Sequence, residues 1–82
     1  MMNTYELEVR AAWPVHDGQI DLYRVTVMSQ NTIRVEDILK FFADFADIKI
    51  FQEDLTAKAA TTLGARVVIV GAHSGVKVTC EY

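Results

Sequence analysis

Apolar residues alternate at the start of the chain: Tyr5, Leu7, Val9, Ala11 and Trp13, with Glu6, Glu8 and Arg10 between them. That period of two predicts a half-buried strand over residues 5–13. Pro14 has no N–H for a ladder, and His16-Asp17-Gly18 carries turn chemistry, so a reversal is expected there. Residues 20–29, rich in Tyr23, Val25, Thr26 and Val27, then predict a second strand that completes a hairpin. Beyond Thr32 the period changes. Val35, Ile38, Leu39, Phe42, Phe45 and Ala46 fall at helical spacing opposite Glu36, Asp37, Lys40 and Asp44, which predicts a helix over about 35–47.

After a short apolar connector, Ile48 to Phe51, a second helix is expected from Gln52 with Leu55, Ala59, Thr62 and Leu63, ending at Gly64 in a left-handed cap. Two strands close the chain, residues 65–70 and 76–82, joined through Gly71-Ala72-His73-Ser74-Gly75. Val76, Val78, Cys80 and Tyr82 share one face of the last strand. The third is apolar on both faces. Phe42 and Phe45 are expected in the core, whereas Phe41 lies off the stripe and is a candidate contact with another subunit.

The 82 residues form a single domain, 1–82, of the α+β class. Its expected architecture is ββααββ, an antiparallel four-stranded sheet with two helices on one face. A domain this small buries only roughly 60% of its unfolded surface, and two open sheet edges invite further pairing. A homo-oligomer joined through sheet edges is therefore expected.

The net charge of -3 comes without a basic run, which argues against nucleic acid as a partner. Apolar runs such as Val67 to Gly71 are far shorter than the roughly 20 residues of a membrane span, and the start of the chain lacks the pattern of a signal peptide. The lone Cys80 permits no intrachain disulfide and fits a reducing compartment. These features together give a cytoplasmic expectation with no membrane partner. Cys80 itself, in phase with Val76 and Val78, is expected as a small buried hydrophobe.

The element order resembles the tunnelling fold, whose members join such sheets into oligomeric barrels and place purine or pterin ligands between subunits. Trp13-Pro14-Val15-His16-Asp17-Gly18-Gln19-Ile20-Asp21 resembles, with one extra residue, the C-P-x-T-G-Q-P-D segment of the NADPH-dependent 7-cyano-7-deazaguanine reductase of queuosine biosynthesis. Phe51-Gln52-Glu53-Asp54 is similar to its F-H-E-D segment, and Val70-Gly71 through Gly75 to its V-x-G and following turn. A second, partial resemblance is to GTP cyclohydrolase I. Gln52-Glu53-Asp54-Leu55-Thr56 looks like its Q-E-R-L-T helix start, and Val67 through His73 like its V-V-I-x-x-x-H strand end.

Both resemblances imply that Glu53 holds the guanine-like edge of a ligand. A carboxylate accepts two parallel hydrogen bonds, from a ring N–H and an exocyclic amine, and so selects that edge over adenine's. Asp21 matches the reductase's general acid, His73 is a candidate acid or base, and Gln52 and Trp13 are candidate ligand contacts. Each has an ordinary alternative. Glu53 is also a carboxylate suited to a helix N-terminus, Asp21 a solvated hairpin residue, His73 a surface turn residue and Trp13 a packing residue.

Both families carry cysteine where Trp13 stands, and an indole neither attacks a nitrile nor holds zinc. Gly75 stands where the cyclohydrolase has its second cysteine, so no metal is expected. The reductase's E-S-K-S-x-K motif, which contacts NADPH, survives only as the shortened Glu36-Asp37-Ile38-Leu39-Lys40. No cofactor is therefore implied beyond an NADPH contact whose motif is degraded. The leading expectation is a purine- or pterin-binding oligomer without the reductase chemistry. The alternatives are a metal-independent enzyme of the cyclohydrolase or pterin type, with His73 and Glu53 as its acid–base pair, and a non-catalytic assembly module.

Overall fold

The computed structural model describes residues 1–12 and 20–82, the side chains of Ala12, Ile20 and Asp21 excepted. The elements run β1 (Asn3–Ala12), β2 (Ile20–Ser29), α1 (Val35–Ala43), α2 (Gln52–Leu63), β3 (Arg66–His73) and β4 (Val76–Glu81). The four strands form one sheet in the order β1-β2-β3-β4, each neighbouring pair antiparallel. This is the expected ββααββ arrangement. The turn expected around Pro14, His16 and Gly18 lies outside the described residues.

Period-two alternation sorts the strands into two faces. Tyr23, Val25 and Val27 of β2 and Val67 and Ile69 of β3 are fully buried with Ala11, and the half-buried Tyr5, Leu7 and Val9 pack against them. Leu55, Ala59 and Ala60 of α2 and Ile38, Phe41 and Phe42 of α1 close this core. Among the described residues nothing packs on the opposite face of the sheet. It carries polar residues such as Glu8 and Arg24, which pair at 3.7 Å, and Arg66, which pairs with Glu81. An antiparallel sheet tolerates such one-sided solvation.

Helix α1 differs from its expected form. It ends at Ala43 instead of running to residue 47, because the N–H groups of Phe45, Ala46 and Ile48 bond three residues back, to Phe42, Ala43 and Phe45, and tighten the chain into turns. The buried stripe is Ile38, Phe41 and Phe42, with Phe45 half-buried, and Val35 and Leu39 are each 54% exposed. Phe41, expected to face another subunit, is instead 8% exposed and stacks on Phe42 and Phe45, ring centroids 5.0 Å away in each case. Aromatic pairing explains the shift, because the edge-to-face and tilted contacts need Phe41 between its two neighbours.

Helix α2 has the expected bounds. Gly64 ends it at φ 61°, its N–H bonding to the Ala60 carbonyl, which also accepts from Ala65. The β3–β4 reversal is tighter than expected. Strand β3 continues through His73, opposite Val76, and only Ser74 (φ 52°) and Gly75 (φ 81°) form the loop. Positive φ at both central residues is the geometry whose twist matches a two-residue hairpin. Among the described residues no helix is long and apolar enough to cross a membrane.

Candidate functional site

The extra length of β3 changes the meaning of His73. Val67, Ile69, Gly71 and His73 follow one another on the face of β3 that meets the helices, so His73 ends the core face and is half-buried instead of lying in an exposed turn. The first turn of α2 packs against it. Gln52, 1% exposed, donates from Nε2 to the carbonyl oxygens of Ile69 at 2.8 Å and Val78 at 3.0 Å. Its Oε1 lies 3.0 Å from Nε2 of His73. One glutamine side chain thus ties the start of α2 to both β3 and β4.

Gly71 makes this approach feasible. A Cβ there would stand 2.5 Å from ring carbons of Tyr23 and 3.2 Å from Oε1 of Gln52. The absent side chain lets the buried Tyr23 ring close edge-on against His73, centroids 6.0 Å apart. One turn along α2, the Thr56 hydroxyl donates to the Gln52 carbonyl at 2.7 Å. It also reaches the half-buried Cys80 on β4. The Cys80 thiol is pushed above its ordinary pKa, first by burial and second by the Glu53 carboxylate, with the Thr56 hydrogen bond offsetting part of the shift. Glu53 itself is exposed.

Successive residues of one helix start therefore point in opposite senses, Gln52 into the core and Glu53 to solvent beside Cys80. Asp21 belongs to the same end of the sheet as His73, since β2 and β3 are antiparallel with Arg24 opposite Val70, but its side chain is not described. Trp13 lies outside the described residues. Of the candidate residues, the structure brings Gln52 and His73 into contact and sets Glu53 next to that pair along the helix.

The sequence reading gave no site role to Tyr23, Gly71 or Thr56. The signal for Gly71 and His73 was the apolar run from Val67, which does not stop at Val70 but continues through Ala72. Thr56, one helical turn from Gln52, is a polar residue on the buried side of α2. A shallow cavity of about 220 Å³ opens on the far face of this end of the sheet, lined by Leu22, Tyr23, Arg24, Val70, Gly71 and Lys77 among others. A larger one, about 510 Å³, lies at the opposite end among Met28, Ser29, Gly64, Arg66 and Tyr82, remote from His73. Among the described residues no group of three or more His, Cys, Asp or Glu side chains gathers to hold a metal ion.

Among solved structures, the chain is similar to one titled "Crystal structure of the archaeosine synthase QueF-Like in the apo form". The two share 14% sequence identity at a TM-score of 0.85, over 99% of this chain and 90% of that one. The chain has the tunnelling fold. At this identity the likeness is one of architecture, and it extends through all six elements. No family model and no curated protein matches the sequence.

Proposed function

We propose that the chain is an oligomeric tunnelling-fold protein that binds a guanine-like or pterin-like small molecule between subunits, with Glu53 as the anchor. One observation carries the reading. Gln52 pins the first turn of α2 to β3 and β4, and the next residue on that pinned turn, Glu53, is exposed. A carboxylate carried on a fixed backbone turn has less freedom to lose on holding a planar N–H and amine edge than one on a mobile segment. Likeness to an archaeosine synthase supports a ligand of the deazaguanine class and a place near queuosine-type biosynthesis.

Assembly is proposed through the sheet edges, β1 and β4, each hydrogen-bonded to a strand on one side only. His73, tied to Gln52 at the same helix start, is the proposed acid–base partner of a bound ligand, and Asp21 a second candidate. Trp13, where the reductase carries its nucleophile, gives no route to that enzyme's covalent chemistry.

The test is calorimetric titration of 7-cyano-7-deazaguanine, GTP and neopterin, each separately, into the wild-type protein and into Glu53→Ala. Binding of one ligand class by the wild type and its loss in the variant supports the anchor. Equal binding by both proteins removes Glu53 from the site. A wild type that binds none of the three leaves a non-catalytic assembly module, the reading favoured by the single-sided sheet edges and by the exposed Leu22 on the open face.

A further inference from the structure

Strand β4 has a free edge: among the described residues it is paired with β3 alone. Val67 and Tyr82 exchange main-chain bonds in both directions, at 3.0 and 2.9 Å. Antiparallel ladders alternate, so Val76, Val78 and Cys80 also turn their main chain toward β3, while Lys77, Thr79 and Glu81 turn theirs outward. These last three side chains are exposed on the polar face of the sheet, whereas Val78 and Cys80 are half-buried on the face of Gly71 and Ile69.

The strand is self-complementary about Thr79. Lys77 and Glu81 flank it symmetrically with opposite charges, and Val78 and Cys80 flank it more closely. Val76 and Tyr82, the next pair out, are large apolar side chains left exposed. An antiparallel copy centred on Thr79 therefore sets each lysine against a glutamate, each Val78 against a cysteine and each Val76 against a tyrosine. The main-chain groups that face one another are those that β3 leaves unused.

We propose that a second copy of this chain docks along β4, antiparallel and about a two-fold axis at Thr79, so that Lys77 of each copy meets Glu81 of the other. The two sheets become one, with the helices of both copies on the same face. This rests on the proposed assembly through sheet edges and names which edge meets which. Lysine commonly blunts a free edge, but here the register supplies its counter-charge. Glu81 already pairs with Arg66 of its own chain, and the incoming lysine adds a second cation. Other registers match less. Centring on Val78 or Cys80 sets Lys77 or Glu81 against a threonine. Strand β1 paired with itself about Leu7 sets Glu6 against Glu8, and about Glu8 sets that residue against its own copy. A head-to-tail joint of β4 with β1 that sets Lys77 against Glu8 leaves Glu81 facing Thr4 and Tyr82 facing Asn3.

Cys80 is the chain's one cysteine, so Cys80→Ser with Thr79→Cys leaves a single thiol on the proposed axis. Directly opposite residues of this kind lie about 5.5 Å apart between Cα atoms, within disulfide reach. Mild oxidation of the ligand-free variant is expected to give a covalent dimer and nothing larger. Cys80→Ser with Lys58→Cys, an exposed position on α2, is expected to stay uncrosslinked. In sedimentation, Lys77→Glu sets acid against acid at both ends of the joint and should raise the dimer dissociation constant by about tenfold or more. Lys77→Glu combined with Glu81→Lys restores opposite charges and should recover dimerisation. Both positions are exposed, and circular dichroism checks that each variant folds. An assembled protein whose Thr79→Cys variant forms no covalent dimer overturns the two-fold joint and leaves assembly by edges standing. So does a crosslinked ladder beyond the dimer from Lys77→Cys combined with Glu8→Cys in the Cys80→Ser background. A wild-type chain that stays monomeric at every concentration overturns both.

Discussion

The two helices invert the usual relation between apolar pattern and burial. Helix α1 has the stronger amphipathic stripe, yet Val35 and Leu39 on that stripe are about half exposed, and it is held through Ile38 and the Phe41, Phe42 and Phe45 cluster. Helix α2 is rich in alanine and threonine and nearly lacks a stripe, yet it buries Gln52, Leu55, Thr56, Ala59 and Ala60. Small side chains allow close approach to β3 and β4, and the polar ones are buried because each meets a partner: Gln52 on two strand carbonyls, Thr56 on the Gln52 carbonyl. Apolar pattern reports where a helix can be covered. Satisfied polar groups report where it must sit.

Substitutions can separate these two modes of attachment. Phe42→Ala removes the largest buried contact of α1 and is expected to destabilise the fold by about 3–5 kcal/mol in denaturant unfolding. Gln52→Ala follows, at about 2 kcal/mol, because two strand carbonyls lose their donor and a buried amide-sized space opens. A negligible loss for Gln52→Ala would reduce α2 to ordinary packing and end the contrast between the helices. Leu39→Ser, although it interrupts the apolar stripe of α1, is expected to change the stability of the isolated chain by less than about 0.5 kcal/mol. A larger loss would show that assembly covers this face, and the loss would then vary with protein concentration.

The smallest effect concerns the thiol beside Glu53. Cys80 lies above its ordinary pKa, so its thiolate fraction at pH 8 is reduced, and iodoacetamide should modify it more slowly than a cysteine in an unstructured peptide. Glu53→Gln removes the second cause of that shift. Alkylation should then speed up modestly, by a factor of about two to three, with the pH midpoint moving down. An unchanged rate would place the Glu53 carboxylate too far from β4 to act on Cys80.

Most of the fold was legible in the sequence, because its signals are local. Alternation from Tyr5 to Ala11 and the continuous apolar run from Val67 to Val70 gave strands, and Gly64 gave the end of α2. The end of α1 was not legible: turns with three-residue hydrogen bonds preserve enough of the helical period for residues 44–47 to read as helix. The burial of Phe41 was missed for a related reason, since ring-on-ring packing, not position on a wheel, decides it. Within the site, the sequence singled out Gln52, Glu53 and His73 but not the bond between the first and the last. Residues 52 and 73 are brought together only by the register of β3 with β4 and the docking of α2. His73 was also read as a turn residue because glycine at 71 suggested an early break. In the structure that glycine is part of the strand, and its missing side chain gives room to Tyr23.

The most direct measurement is edge discrimination at Glu53. Calorimetric titrations of the wild-type protein compare 7-cyano-7-deazaguanine with the analogue whose six-membered ring carries the adenine pattern of donors and acceptors. An anchoring carboxylate is expected to bind the guanine-edge ligand more tightly by about tenfold or more, since the adenine edge leaves a carboxylate oxygen unpaired at roughly 1–3 kcal/mol. In Glu53→Gln the preference should collapse. Equal affinity for both ligands in the wild type, or an undiminished preference in the variant, would contradict the anchoring role of Glu53.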